Sequence, residues 1–211
     1  MLAPLVIGIC GKARSGKDTI ASTIVESKVL SQTFVMGYRL ALADPIKSII
    51  EGLLSMWMDD PAAGLSADAV VERMLSGNLK EAPIADLGDK SPRRMMQTLG
   101  TDWGRNMICE DLWVKLLRGR IDYVSNLSEN GGANGCLVVV PDIRFDNEAK
   151  ICNVLLQVDR PDAEEVAEHV SEDGISTHLI THTIHNTGST AALQEKVNRF
   201  LAEVISDHFI D

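Results

Sequence analysis

Nine residues near the start of the chain, Gly11-Lys12-Ala13-Arg14-Ser15-Gly16-Lys17-Asp18-Thr19, have the types and spacing that hold phosphate. The two glycines let the backbone turn tightly and approach an anion closely. The N–H groups freed by that turn, with those at the start of a following helix, point at phosphate oxygens. Lys17 adds a mobile positive charge for the outer phosphates, and a hydroxyl close behind such a lysine holds magnesium. Here the hydroxyl is displaced by one place, because Asp18 follows the lysine and Thr19 comes next. Residues 11–19 (Gly11, Lys12, Ala13, Arg14, Ser15, Gly16, Lys17, Asp18 and Thr19) are therefore the candidate ATP-binding set, and Thr19 is the candidate magnesium ligand.

A second group of polar residues follows a second apolar run. Cys136-Leu137-Val138-Val139-Val140 ends at Pro141-Asp142, Arg144 stands two residues on, and Asn147 and Glu148 open the next helix. Open α/β sheets place their ligands at the carboxyl ends of strands. Beside a phosphate loop, an aspartate in that position supports magnesium directly or through water. Asp142 and Arg144, two apart, leave the same edge of the sheet. Lys17, Asp142 and Arg144 form the candidate catalytic set, with Arg144 bridging donor and acceptor.

The 211 residues carry a formal net charge of −10. That balance opposes a nucleic-acid-binding surface, which needs a basic field. It also makes the positions of the cations informative. Lys12, Arg14 and Lys17 fall in the loop, and Arg93, Arg94, Arg105, Arg144 and Arg160 fall near other candidate segments. Arg118 and Arg120 suit a solvated helix face equally well. No apolar run reaches membrane-spanning length. The apolar start has no basic n-region and runs into the phosphate loop, so it reads as part of the fold rather than a signal peptide, and the expectation is a cytoplasmic protein. The four cysteines, Cys10, Cys109, Cys136 and Cys152, lack CxxC spacing and read as reduced thiols.

The elements that position these residues follow from alternating strand and helix patterns, the signature of a parallel sheet with crossover helices. Strands are expected at 5–10, 33–36, 136–140 and 154–158, with a half-exposed edge strand at 179–185. Helices are expected at 17–28, from Asp44-Pro45 to Leu54, at 68–75, from Ser91-Pro92 to Leu99, from Glu110-Asp111 to Ile121, and at 145–152, 163–170 and 189–207. Ser91 and Asp44 suit N-caps, with proline at the first helical position behind each. Gly100 and Gly104 read as a turn or kink, and residues 125–135 and 171–178 as loops. The polar, Pro- and Gly-dotted stretch 58–91 reads as a flap. The fold class is α/β: a P-loop three-layer sandwich around a mainly parallel five-stranded sheet. It forms a single domain over 1–211 with a helical insertion or lid at about 58–130. The apolar stripe on the last helix would suit a homodimer as easily as the sheet.

Several segments together resemble a known family. They are the loop 11–19 with its Lys-x-Thr spacing, Ala43-Asp44-Pro45-Ile46-Lys47, Ser91-Pro92-Arg93-Arg94, Gln97-Thr98-Leu99-Gly100-Thr101-Asp102-Trp103-Gly104-Arg105, Asp111-Leu112-Trp113-Val114 and Asp142-Ile143-Arg144-Phe145-Asp146-Asn147-Glu148. In this order they are similar to the deoxynucleoside monophosphate kinases of tailed phages. The likeness continues weakly through His169-Val170-Ser171-Glu172 and Asn186-Thr187-Gly188. It implies transfer of the γ-phosphate of ATP to a deoxynucleoside 5′-monophosphate, with Mg²⁺ as cofactor, in the host cytoplasm if the origin is a phage. It further implies that Arg93, Gly100, Thr101, Trp113, Asp142, Arg144 and Glu148 hold the acceptor. Arginine is the fork-shaped partner of a monophosphate. Gln97 or Glu148 suits a base edge, and Asp44 joins the candidate acceptor residues. Trp113 suits either a stacking face for a base or a core anchor, and Thr101 either a contact or a turn residue. The expected partners are small nucleotides, with no nucleic acid and no membrane. Rival readings are a P-loop kinase for a dephospho-coenzyme-A-like or phosphomevalonate-like acceptor, and a nucleotide-binding module without transfer activity.

Overall fold

A computed structural model describes residues 2–57, 67–161 and 175–209. The chain forms two compact units, one of Met1–Ala41 with Val114–Asp211 and one of Leu42–Trp113.

The first unit is built on five parallel strands, β1 (Leu5–Cys10), β2 (Val35–Arg39), β3 (Gly135–Val140), β4 (Val154–Asp159) and β5 (His182–His185), in the order β2-β3-β1-β4-β5. β1 and β3 are buried along their whole length. Such strands read as continuous apolar runs because both faces are covered. On one face lie α1 (Lys17–Val25), α2 (Lys28–Thr33) and α8 (Thr190–Phe209). Ile20, Ile24, Leu193, Val197 and Leu201 from these helices share a core with Leu5, Ile7, Ile9, Leu137, Val139 and Leu156. The apolar stripe of α8 is thus spent on the sheet. On the other face lies α6 (Leu112–Asn130). Its Ser128 hydroxyl reaches the Tyr38 hydroxyl at 3.2 Å, and Arg120 donates to the Ala41 carbonyl at 3.1 Å. Two helical layers and one sheet make the expected three-layer α/β sandwich, with every strand parallel.

The second unit is helical: α3 (Asp44–Trp57), α4 (Ala67–Leu75), a 3₁₀ turn (Ala85–Leu87), α5 (Pro92–Gln97) and a π-helix (Thr98–Ile108). Ile50, Leu54, Val71 and Leu75 form its core, with Met74, Met95, Met96 and Leu99 packed against them. Its limits differ from the 58–130 insertion expected from composition. The reason is packing: the apolar face of α3 is used inside this unit, while α6 hydrogen-bonds to the strand side of the first.

Four local expectations give way to tertiary context. The expected helix 17–28 is two helices, because the Ser27 hydroxyl accepts from the Val29 N–H at 3.3 Å and opens α2. Phe34 closes α2 with a left-handed φ of 55°, so β2 starts at Val35 and runs to Arg39. Residues 125–130 continue α6 rather than forming a loop, with the Ser128 hydroxyl donating back to the Val124 carbonyl at 2.9 Å. The expected kink at Gly100–Gly104 is a continuous π-helix. Shorter adjustments affect α7 (Asp146–Ala149) and β5, which a 3₁₀ turn at Thr177–Leu179 precedes. The expected helix at 163–170, residues 171–174 of the loop 171–178, residues 58–66 of the flap and the His169–Glu172 segment lie outside the described residues. No helix among the described residues is long and apolar enough to cross a membrane.

Candidate active site

Residues 11–19 follow β1 directly and run into α1. Gly11 has a φ of 138°, and a side chain there would collide with the Val158 carbonyl on neighbouring β4. Gly16 has a φ of 102° and approaches the Asn186 amide so closely that a Cβ would sit 2.6 Å from its nitrogen. Arg14 is left-handed at φ 59°, a strained conformation of the sort found where a loop is shaped for a ligand. The loop's carbonyls are tied back. Lys17 Nζ donates to the Gly11 and Lys12 carbonyls at 2.6 Å each, Arg160 to the Arg14 carbonyl at 3.3 Å, and the Asn186 amide to the Ser15 carbonyl at 2.7 Å. A glycine-bearing turn of this kind, running straight into a helix start, has the form of an anion cradle. Ser15 is 1% exposed, and its hydroxyl is the one buried side-chain polar atom among the described residues with no hydrogen-bond partner. A buried orphan hydroxyl inside such a loop fits a phosphate oxygen as its missing partner.

β3 lies beside β1 with the same direction, Gly8 opposite Val140. Past its end, the Ile143 N–H donates to the Ile9 carbonyl at 3.2 Å. That bond pins Asp142 and Arg144 alongside the entry to the phosphate loop. The turn is shaped from beneath by Glu148, only 4% exposed, whose Oε2 accepts from the Arg144 N–H at 2.8 Å and the Phe145 N–H at 3.1 Å. One oxygen of the carboxylate offered by the sequence to a base edge thus serves backbone, as half of a helix-capping box. The Arg144 side chain is exposed and Asp142 is half-buried.

The segment is also held from outside. Asp146 accepts from the Ser176 hydroxyl at 2.5 Å and its N–H at 2.9 Å. The Ser176 hydroxyl, then its N–H, keeps the Asp146 carboxyl below the ordinary carboxylate range. Burial raises the thiols of Cys10, Cys136 and Cys152 above their ordinary range. For Cys10 this holds despite nearby Lys17, and for Cys152 burial, then the Glu148 charge, pushes the thiol up to about 12.

In the helical unit, Ser91 caps α5 as expected, its hydroxyl accepting from the Arg94 N–H at 3.2 Å with Pro92 behind it. Arg93 is half-buried and pairs with Glu81 at 3.1 Å. Gln97 and Thr101 are half-buried, Gly100 is buried, and Asp44 is the first residue of α3. Trp113 is 4% exposed. Its indole N–H donates to the Gly100 carbonyl at 2.7 Å, and its ring lies where a Cβ on Gly104 would be, 2.5–2.8 Å away. This is the anchor arrangement, and it places the ring against the π-helix that carries Gly100 and Thr101. Of the two helix-face arginines, Arg118 is exposed and Arg120 holds the Ala41 carbonyl.

Arg160 and Asn186, just past β4 and β5, brace the loop. One residue beside the loop escapes a reading of the sequence: Arg39, at the end of β2, pairs with Asp18 at 2.5 Å. Only its strand-end position marks it.

The sequence profile of the family described as deoxynucleotide monophosphate kinase matches residues 66–197, more than half the chain. A deoxynucleoside-5′-monophosphate kinase of Escherichia phage T5 is 24% identical over 86% of this chain and 89% of its own length. Deoxynucleotide monophosphate kinases of Enterobacteria phage T4 and Escherichia phage RB69 are 32% and 31% identical, covering 53% and 58% of this chain and 45% and 50% of their own. Among solved structures, the crystal structure of TT1252 from Thermus thermophilus is a distant likeness, at 18% identity and a TM-score of 0.41 over 95% of this chain and 97% of that one. The phosphate loop, the strand-end pair beside it and this family match converge: the chain belongs to the deoxynucleotide monophosphate kinases, phosphotransferases that use ATP.

Proposed function

We propose that the phosphate loop of residues 11–19 holds the β- and γ-phosphates of ATP, and that Asp142 and Arg144 order the transfer of the γ-phosphoryl group to a deoxynucleoside 5′-monophosphate. The observation that carries this is the bond from Ile143 to Ile9, which sets the end of β3 against the loop. The acceptor is a phosphate oxygen that is already largely anionic near neutral pH, so no general base is needed. One of its oxygens attacks the γ-phosphorus, a new P–O bond forms, and the bond to the bridging oxygen breaks, leaving ADP and a deoxynucleoside diphosphate. Catalysis is alignment and charge neutralisation.

Lys17 exchanges its two carbonyl contacts for phosphate oxygens. Arg144, exposed on a turn fixed by Glu148, forks between acceptor phosphate and migrating group. The Thr19 hydroxyl on the exposed first turn of α1, with the Asp142 carboxylate, is a hard-oxygen donor set that suits Mg²⁺ completed by phosphate and water. When bound there, the ion supplies neutralisation of the phosphate charge. Asp44, Arg93, Gln97, Gly100 and Thr101 are the proposed contacts to the monophosphate, and Trp113 holds the π-helix that presents the last two.

The test is ATP turnover with dAMP, dCMP, dGMP and dTMP, in the native chain and in Lys17→Ala. The native chain releases ADP with at least one of the four, and a folded K17A falls by on the order of 10²-fold or more in kcat. Near-normal kcat in folded K17A refutes the loop assignment. Turnover of dephospho-coenzyme A but of no monophosphate refutes the acceptor class.

A further inference from the structure

The ion pair between Asp18 and Arg39 stands at the most sensitive point of the loop. Asp18 is the second residue of α1, between Lys17 and Thr19, and its side chain is 83% exposed. A carboxylate in a first turn stabilises the helix start, which favours a loop already formed before any ligand arrives. The same negative charge opposes a phosphate arriving at that helix start. Arg39 meets it with Nη2 2.5 Å from Oδ1. Arg39 is the last residue of β2, an edge strand whose carboxyl end lies beside that of β3. Strand topology therefore brings this cation to the loop from far along the chain.

We infer that Arg39 is a positioning residue for the donor nucleotide: it holds and neutralises the Asp18 carboxylate, so that the helix start keeps a positive field when ATP phosphates arrive. Arg39 needs no contact with either nucleotide. Its role rests on residues 11–19 being the donor-phosphate site. The chain thereby has both halves of a compromise. Asp18 supports the empty helix start, and Arg39 removes the repulsion that Asp18 would otherwise exert on the filled one.

A double-mutant cycle tests this. ATP affinity is measured by displacement of a fluorescent ATP analogue in the native chain, R39A, D18N and D18N/R39A, at low and high salt, with melting curves to confirm folding. The monophosphate KM is measured in the same proteins. R39A is expected to weaken ATP binding on the order of tenfold at low salt and less at high salt, from one unmasked charge near the phosphates. In the D18N background the same substitution costs less than about threefold, because there is no carboxylate to unmask. R39K, which keeps the charge, retains most of the affinity. Equal losses from R39A in both backgrounds make Arg39 an independent cation and overturn the inference. So does an intact ATP affinity, with or without a raised monophosphate KM. Failure of the underlying site assignment looks different: K17A then binds ATP as tightly as the native chain, and the Arg39 role falls with it.

Discussion

Removing the Glu148 side chain tests whether this carboxylate shapes the transfer turn or reads the base. Its Oε2 accepts two backbone N–H bonds, at 2.8 and 3.1 Å, in a side chain 4% exposed to water. A hydrogen bond to a charged group contributes about 1.5–3 kcal/mol, and a buried donor left without a partner loses a similar amount. Arg144 is near solvent, so water re-solvates one of the two N–H groups in part. Glu148→Ala should therefore destabilise the chain by about 3 kcal/mol, within a range of about 2–5. At roughly 2–4 °C per kcal/mol for a chain of this size, the melting temperature should drop by about 6–12 °C. Glu148→Gln keeps one acceptor oxygen but no charge, and should lose about half as much. The kinetic signature is more specific. The turn bearing Asp142 and Arg144 loosens while the loop of residues 11–19 stays intact, so ATP affinity should stay within threefold or so and kcat should fall by about 10²-fold through misplacement alone. Differential scanning fluorimetry, ATP binding and steady-state kinetics on the two variants decide the matter. If E148Q melts like the native chain but changes its preference among the four monophosphates, Glu148 contacts the base and the shaping role is wrong.

The other expectations are shorter. Arg144→Lys keeps the charge and loses the fork, so kcat with saturating monophosphate should fall at least tenfold or so while ATP affinity changes less than about twofold; the reverse pattern would move Arg144 to the donor side. Gly104→Ala puts a methyl group into the Trp113 ring and should destabilise the helical unit by about 1–3 kcal/mol; urea melts read this, and an unchanged midpoint would show that the ring shifts freely. Trp113→Phe, which keeps most of the ring but deprives the Gly100 carbonyl of its donor, should lose about 1–3 kcal/mol by the same measure. Asp146 has a folded-state pKa below its ordinary 3.8, so its bond to Ser176 contributes stability above about pH 4 and loses it as pH falls through the lowered value. Asp146→Asn should flatten the acid limb of the stability profile below pH 4 or so, and an unaltered limb would mean that the Ser176 contact is absent in solution.

Features written in local pattern were legible in the sequence. The phosphate loop is one continuous segment, and its flanking strand and helix announce themselves by apolar runs. Ser91-Pro92 states a helix start in two residues, and the end of β3 is marked by the change from valines to Pro141-Asp142. What stayed hidden depends on partners remote in sequence. No periodicity shows that Gly104 makes room for the Trp113 ring, or that the indole N–H on Gly100 supports a π-helix where two glycines suggest a kink. The same holds for Glu148, whose type suits a base edge and whose geometry serves two N–H groups. Arg39 and Asp18 meet only because β2 ends beside the loop. Ser128 and its neighbours read as a loop by composition, yet Ser128 continues α6, where it is buried with its hydroxyl satisfied by the Val124 carbonyl and, across to the sheet, by Tyr38.

The two short bonds from Lys17 to the Gly11 and Lys12 carbonyls have a thermodynamic consequence. The ammonium has oxygen partners within its own loop, so on the proposed reading of Lys17 nucleotide binding is an exchange reaction in which one set of lysine–oxygen contacts replaces another. The gross strength of the lysine–phosphate attraction therefore never appears in full in the binding free energy. In return, the loop is self-templated: the side chain proposed to grip phosphate also holds the turn through the turn's own carbonyls. By the same proposal the carbonyls recapture the ammonium when ADP leaves, which lowers the barrier to departure. A phosphotransferase must bind its donor firmly enough to align it and loosely enough to shed the spent product. An internal competitor for the principal cation serves both needs with a single side chain.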